Sequence, residues 1–496
     1  MNLAEYAALD ATALADLVRR RQVTSDELVG LARKAIAAVD PALGAVVHDM
    51  GEDALRTPAV EGVFGGIPMV VKDFDGFVRG HPWTASTRML EGYVPDHDSE
   101  AIARLRRAGF RFVAKTKCPE LAILGTTEPA WRGPARNPWN PDHSTGGSSG
   151  GSAALVAARA VPVGHGGDGG GSLRIPGSSC GVVGFKATRG RVPLGPDWSE
   201  GWGGFVQWGA LVRTVRDAAA VLDVMSGPMP GDPYAAPPLA RPLADEVGAP
   251  PGKLRIAMYS GSLYGKDVHP DTRAAVESAG RLLASLGHEV VPERPALDTP
   301  ALRFGYLVQV AVGVAAEVED LERMTGRRAT ADLFEPATWF LVQVGRSLGA
   351  LDLQRARDAA QAAGRAMASF HARYDLFLTA ATAYPAVRIG ELGLKRWERV
   401  GLGALRLAPV PAVLRKTLHD LADTNLERTP NTQLFNQTGQ PAVSLPLGTS
   451  ADGLPIGVQL AAAMGRDDLL VRVSAQLEAA APWIARIPKI SAARDV

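Results

Sequence analysis

Apolar residues recur at helical spacing from Asp10 to Asp40, where Thr24 or Ser25 is placed to cap the run DELVGLARKAIAAVD. From Ile67 the pattern changes. Short β-rich runs alternate with helical ones: GIPMVVKD at 66–73, SEAIARLRRAG at 99–109, FRFVAKT at 110–116. Such alternation predicts βαβ units and a largely parallel sheet. The same order returns later, with KLRIAMYS at 253–260, an Ala-rich helix from Asp271 to Leu286 and HEVVPE at 288–293. Thr299 to Arg373 reads as mostly helical, YDLFLT at 374–379 as a strand, and Asn431–Gly448 and Leu454–Ala463 as turn-flanked strands before a helix from Asp467.

Two stretches interrupt the pattern. Pro228 to Pro251 is proline-rich and reads as an ordered surface connection. Gly393 to Asp423 sets Lys395, Arg396, Arg399, Arg406, Arg415 and Lys416 among apolar residues, with Pro409 and Pro411 breaking any continuous helix. A helical excursion over the core is the plain reading; a lid or a membrane-surface contact stays open.

Composition narrows the class. A hydrophobic fraction of 46% with 21% charged residues belongs to a globular enzyme with a large core. The 53 Lys and Arg nearly cancel the 52 Asp and Glu, so no global field favours nucleic acid, and none is expected as a partner. Two cysteines, Cys118 and Cys180, make neither a disulfide framework nor a thiolate metal site; both are expected to be buried structural thiols. The acidic N-terminus lacks a secretory pattern, and the longest apolar runs, such as Leu307 to Ala316, are shorter than a bilayer span of about 20 residues. Cytoplasmic location is expected, with no transmembrane helix.

The candidate chemistry lies between Gly146 and Gly190, a glycine- and serine-rich stretch interrupted by SAALVAARA at 152–160. Gly164 to Gly169 spells GxGxxG, but opens no long helix and lacks the downstream acid a dinucleotide needs. Gly146 to Gly150 spells GxSxG, which would require a His and an Asp later; His288, His371 and His419 stand in no recognisable context. A serine can instead be activated by a lysine kept neutral by burial and neighbouring donors or cations. Lys72 is that candidate, because it ends the apolar run Ile67–Val71 and so sits at the end of a predicted buried strand.

Read together, GIPMVVKD at 66–73, GGSSGGSAA at 146–154 and GDGGGSLRIPGSSCGVVGFKATRGRVP at 167–193 resemble the amidase signature family. The resemblance continues through FNQTGQPAVSLPLG at 435–448 and DGLPIGVQLAAAMGRDD at 452–468, and so covers most of the chain. It implies an α/β fold with a large mixed, mostly parallel sheet covered by helices on both faces. The implied organisation is one domain over 1–496: a helical segment at 1–65, the signature core at 66–220, a helical pocket and lid region at 221–430, and closing strands and helix at 431–496.

By the same resemblance Lys72 matches the catalytic lysine, Ser148 a bridging serine with a cis peptide bond, and Ser172, 24 residues later, the nucleophile. Gly169, Gly170 and Gly171 would supply oxyanion donors through backbone N–H groups. Asp168 and Arg174 would hold that loop by ion pairing, and Ser149 would steady the relay. Tyr306, Gln309, Trp339, Phe340 and Asn436 are candidates for the substrate pocket, with Trp339, Phe340 and Asn436 carried forward as substrate contacts.

Among branches, TTEPAW, ARNPWN, GRDDLL and PWIAR look most similar to hydrolases of the 6-aminohexanoate cyclic dimer, which implies a hydrophobic linear, cyclic or aryl amide as substrate. Lys115-Thr-Lys117 and Thr379-Ala-Ala381 depart from the family pattern without touching the relay. No metal or cofactor is expected, and a homodimer stays open. Two alternatives remain: an amidase subunit of a tRNA-dependent amidotransferase, or a non-catalytic binding protein on the same scaffold.

Overall fold

The computed structural model describes residues 1–393, 401–402, 410–424 and 426–494. Four of the six basic residues after Gly393, Lys395, Arg396, Arg399 and Arg406, lie outside the described residues, and with them the open lid and membrane readings. The last part of that stretch forms the helix Pro411–Thr424, which starts where the prolines end and buries Leu414 and Leu418.

Eleven strands form one sheet: β1 (Val46–Asp49), β2 (Pro68–Lys72), β3 (Arg111–Thr116), β4 (Val163–Asp168), β5 (Val183–Lys186), β6 (Gln207–Val212), β7 (Arg255–Met258), β8 (Glu289–Pro292), β9 (Leu376–Ala380), β10 (Ala442–Thr449) and β11 (Pro455–Ala462). Their order is β1-β3-β2-β4-β6-β5-β10-β11-β9-β7-β8. The expected mixed α/β sheet is present, and its parallel pairs lie where βαβ units were read, at β3-β2-β4 and β9-β7-β8. The centre differs from the mostly parallel expectation. From β4 through β6, β5, β10 and β11 to β9 every pairing is antiparallel, and the late strands β10 and β11 are inserted between β5 and β9.

Helices cover both faces, as the alternation along the strands requires. In β9, Leu376, Leu378 and Ala380 join one apolar cluster while Phe377 joins the other; in β7, Ile256 and Ala257 divide in the same way. The first cluster also takes the N-terminal helices, the helix Gly150–Ala157 and the C-terminal helix Asp467–Ala480. The second takes the helices Thr299–Thr325, Pro336–Ser347 and Ala350–His371.

Local signals account for several boundaries. Thr24 caps the helix Ser25–Leu43 reciprocally: its hydroxyl accepts the Glu27 N–H at 3.2 Å, and the Glu27 carboxylate accepts the Thr24 N–H at 2.7 Å. Two readings of the sequence are corrected. The N-terminal stretch to residue 65 is not wholly helical, because Val46–Asp49 forms the edge strand β1, four residues too short to show periodicity. The helix Thr299–Thr325 is long and apolar enough to cross a membrane by length and composition, although its apolar core was counted as ten residues. Here it is a packed helix against Pro336–Ser347 and Ala350–His371, with 61% of its most apolar window buried.

The sheet also fixes where chemistry can gather. β2 and β4 are parallel neighbours, so Lys72 and Asp168 end their strands at one edge, where ligands collect beyond the carboxyl ends of parallel strands. Removing a side chain from the sheet core should be costly. Phe377→Ala is expected to lose about 3 to 5 kcal/mol, read as a lower urea midpoint, whereas Leu351→Ala, at a residue 71% exposed, should stay within about 0.5 kcal/mol.

Candidate active site

β4 runs Val-Gly-His-Gly-Gly-Asp and is buried throughout, so the GxGxxG letters belong to a strand and a turn, not to a phosphate loop. After Asp168 the chain turns through Gly169 to Leu173 into the buried helix Arg174–Cys180. This turn is held from inside. Arg174 donates to Asp168 through Nε at 2.9 Å and Nη2 at 2.7 Å, and both side chains are fully buried. Burial alone would raise the Asp168 carboxyl, but the Arg174 guanidinium and the Asn436 amide outweigh it and hold the group down at about 2. The carboxylate also accepts the N–H of Gly171 at 2.7 Å and of Leu173 at 3.2 Å. Asp168 and Arg174 together brace the turn.

The glycines of the turn are sterically required. Gly171 has φ +128°, and a Cβ there would press on Thr432. A Cβ on Gly170 would collide with the Tyr306 hydroxyl. Gly171 corrects one expectation: its N–H is committed to Asp168 and is not offered to a ligand. The carbonyl of Gly170 accepts from Thr432 Oγ1 at 2.7 Å. Among the described residues, the N–H groups of Gly169, Gly170 and Ser172 make no hydrogen bond.

Ser148 stands across from this turn, at the start of the helix Gly150–Ala157, with a cis peptide bond between Gly147 and Ser148 as the resemblance implied. That helix is pinned to the sheet by Ser152, whose hydroxyl lies 2.7 Å from Thr116 Oγ1 and donates to the His165 carbonyl at 2.8 Å. Ser149 ties the two serine segments together. Its N–H donates to the Ser172 carbonyl at 3.3 Å and its hydroxyl to the Gly167 carbonyl at 3.3 Å. Lys72 Nζ donates to Ser148 Oγ at 2.9 Å, and both side chains are 1% exposed. The expected surroundings of Lys72 need correction: beside burial it has not donors or cations but a carboxylate, Asp75, whose Oδ2 is 2.5 Å from the amine.

Lys72, Asp75, Ser148 and Ser172 open on one cavity of about 270 Å³. One wall is a single face of the helix Thr299–Thr325, where Gln309, Val312, Gly313, Ala316, Glu317 and Asp320 follow at helical spacing. Aromatic residues, Phe74, Trp198, Trp202 and Trp208, line the cavity as well. Trp202 is wedged between the turn and the helix, since a Cβ on Gly169 would come within 2.9 Å of its ring and one on Gly313 would collide with it.

Of the pocket residues read from the sequence, Gln309 lines the cavity and the Tyr306 hydroxyl touches the turn, 3.5 Å from the Gly169 carbonyl. Three were misplaced. Asn436 belongs to the brace, donating to Asp168 and to the Phe205 carbonyl and accepting from Arg174 Nη2 at 2.6 Å. Phe340 is buried in the second apolar cluster, and Trp339 stacks on Phe334 with centroids 5.9 Å apart. The tryptophans were missed, although three within eleven residues, Trp198 to Trp208, were a visible signal. Asp75 and Glu317 carried no signal beyond ordinary acidic residues. Cys118 and Cys180 are buried free thiols, and burial raises both.

The Amidase family model matches residues 27–471. The 6-aminohexanoate-cyclic-dimer hydrolases of Pseudomonas sp. (strain NK87) and Paenarthrobacter ureafaciens are each 40% identical over 97% of this chain and 96% of their own. The structure of a 6-aminohexanoate cyclic dimer hydrolase complexed with substrate superposes with a TM-score of 0.89 at 37% identity, covering 98% of this chain and 99% of that one. Matching over nearly its whole length, the chain belongs to the amidase family, the amidase signature enzymes, and is a hydrolase of amide carbon–nitrogen bonds.

Proposed function

We propose that the chain cleaves its amide through an acyl-enzyme on Ser172, with Ser148 as proton relay and Lys72 as base. The observation that carries this reading is the 2.9 Å hydrogen bond from Lys72 Nζ to Ser148 Oγ at the floor of the cavity that Ser172 lines. The neutral amine takes the Ser148 proton while Ser148 takes that of Ser172, whose Oγ bonds to the carbonyl carbon. The unpaired N–H groups of Gly169, Gly170 and Ser172 are donors available to the oxygen as it gains charge, and Gly169 and Ser172 line the cavity. Collapse breaks the C–N bond as the proton passes to the leaving nitrogen, and water releases the acid by the same path in reverse. The 496 residues would act as one catalytic domain, since signature segments and C-terminal strands share one sheet.

The substrate class proposed is a hydrophobic linear, cyclic or aryl amide. Its support is the aromatic wall of Phe74, Trp198, Trp202 and Trp208, together with the likeness to 6-aminohexanoate-cyclic-dimer hydrolases. A cavity of about 270 Å³ suits a small molecule.

Activity of the isolated chain on a panel of anilides, aliphatic amides, amino-acid amides and cyclic diamides tests the reading. Ser172→Ala and Lys72→Ala are expected to lose nearly all turnover and Ser148→Ala about 10²-fold or more; full activity in Lys72→Ala would rule out the proton path. Glutamine as best substrate, with activity only beside a second subunit, would favour an amidotransferase instead. Trp202→Ala should lower kcat/KM for anilides and cyclic diamides by about 10- to 200-fold while changing small aliphatic amides little; an equal loss on both would contradict an aromatic binding wall.

A further inference from the structure

Ser148 is only one of two groups that hold Lys72. The amine lies 2.9 Å from Ser148 Oγ on one side and 2.5 Å from Asp75 Oδ2 on the other. Asp75 follows just beyond the end of β2, is 4% exposed, and rests its carboxyl on Gly167 of β4, where a Cβ would come within 2.5 Å of Oδ1. Among the described residues, Asp75 Oδ2 accepts no other hydrogen bond, so Lys72 is the partner of this buried charge. A buried carboxylate with so few donors gains when the group beside it takes up a proton and becomes a cation.

We propose, on the reading that Lys72 is the base, that Asp75 is a positioning residue that fixes the Lys72 amine against Ser148 and stabilises the ammonium formed when Lys72 takes the proton. The proton moves from Ser172 to Ser148 and from Ser148 to Lys72, then back along the same path to the leaving nitrogen. Asp75 takes no part in the proton transfer itself. In Ser-His-Asp hydrolases the aspartate serves the base in the same two ways without becoming protonated. The relay thus has four members, Ser172, Ser148, Lys72 and Asp75.

Among the described residues, Asp75 is the carboxylate in ion-pair contact with the Lys72 amine, while Glu200, Asp320 and Arg357 also line the cavity. Burial and then Asp75 push Glu317, on the helix Thr299–Thr325, up to about 8 against the pull of Lys72, so it is neutral below that pH. Burial, Lys72 and Lys115 bring His165 of β4 down to about 3, so it is neutral above it. Burial raises Cys118 to about 12, which keeps it protonated. Asp73 and Lys115, on β2's end and β3, face each other at 3.6 Å; burial raises the first and lowers the second.

The sign of the effect follows. A carboxylate beside an amine favours the protonated form, so removing it lets the amine give up its proton at lower pH and makes it a weaker base. The test is the rate at which a fluorophosphonate labels Ser172, measured against pH, which needs no knowledge of the substrate. Asp75→Asn is expected to lower the plateau rate about 10²-fold and to move the acid limb to lower pH by about 1 unit or more. Asp75→Glu, which keeps the charge, should hold the acid limb of the unmodified protein. An undisplaced limb in Asp75→Asn, whatever its plateau rate, or a displaced limb in Asp75→Glu, overturns the assignment. Wild-type labelling in Lys72→Ala would instead overturn the relay itself, so the two failures are distinguishable.

Discussion

The buried ion pair between Asp168 and Arg174 is the constraint on which the site depends. Two full charges out of water are tolerated because each is saturated with partners: Arg174 reaches Asp168, Thr432, Asn436 and Gln459, and Asp168 takes two backbone N–H groups and the Asn436 amide. Those partners come from β4, the turn through Gly169 to Leu173, the helix Gln433–Thr438 with Thr432 before it, and β11, elements separated by up to about three hundred residues of chain. One cluster therefore fastens the closing C-terminal strands to the turn that carries Ser172. Because Asp168 also fixes the direction of the Gly171 and Leu173 amides, the ion pair orients the backbone on which catalysis is proposed to rest.

On the other side of the cavity the electrostatics run differently. Lys72 sits between a hydroxyl and a carboxylate, with Glu317 across the cavity held neutral below about 8. The aromatic residues Phe74, Trp198, Trp202 and Trp208 line the same cavity. The apolar substrate groups proposed above rest on that wall.

Much of this was legible in the sequence because the signals were local. Helical periodicity left the cap at Thr24 or Ser25, apolar runs placed β2, β3, β7, β8 and β9, and the family resemblance of the glycine-serine segments singled out Ser148 and Ser172. Tertiary properties were not legible. The antiparallel centre arises from which distant strands become neighbours, and no residue in β10 or β11 announces that it will sit beside β5 and β9. Asn436 looked like a pocket residue because a buried amide reads the same whether it meets a ligand or an ion pair; Trp339 and Phe340 looked so because core and pocket aromatics share a composition. Asp75 was invisible for the opposite reason, since an acid three residues beyond a strand usually faces water.

The account turns on a covalent intermediate at one side chain. Rapid mixing with an activated aryl ester, followed by acid quench and peptide mass mapping, reads it directly. The account predicts a burst of phenol matching the enzyme concentration and an acyl group on the peptide that contains Ser172. Phenol release without a burst, with the acyl group on another side chain such as Cys118, would contradict it.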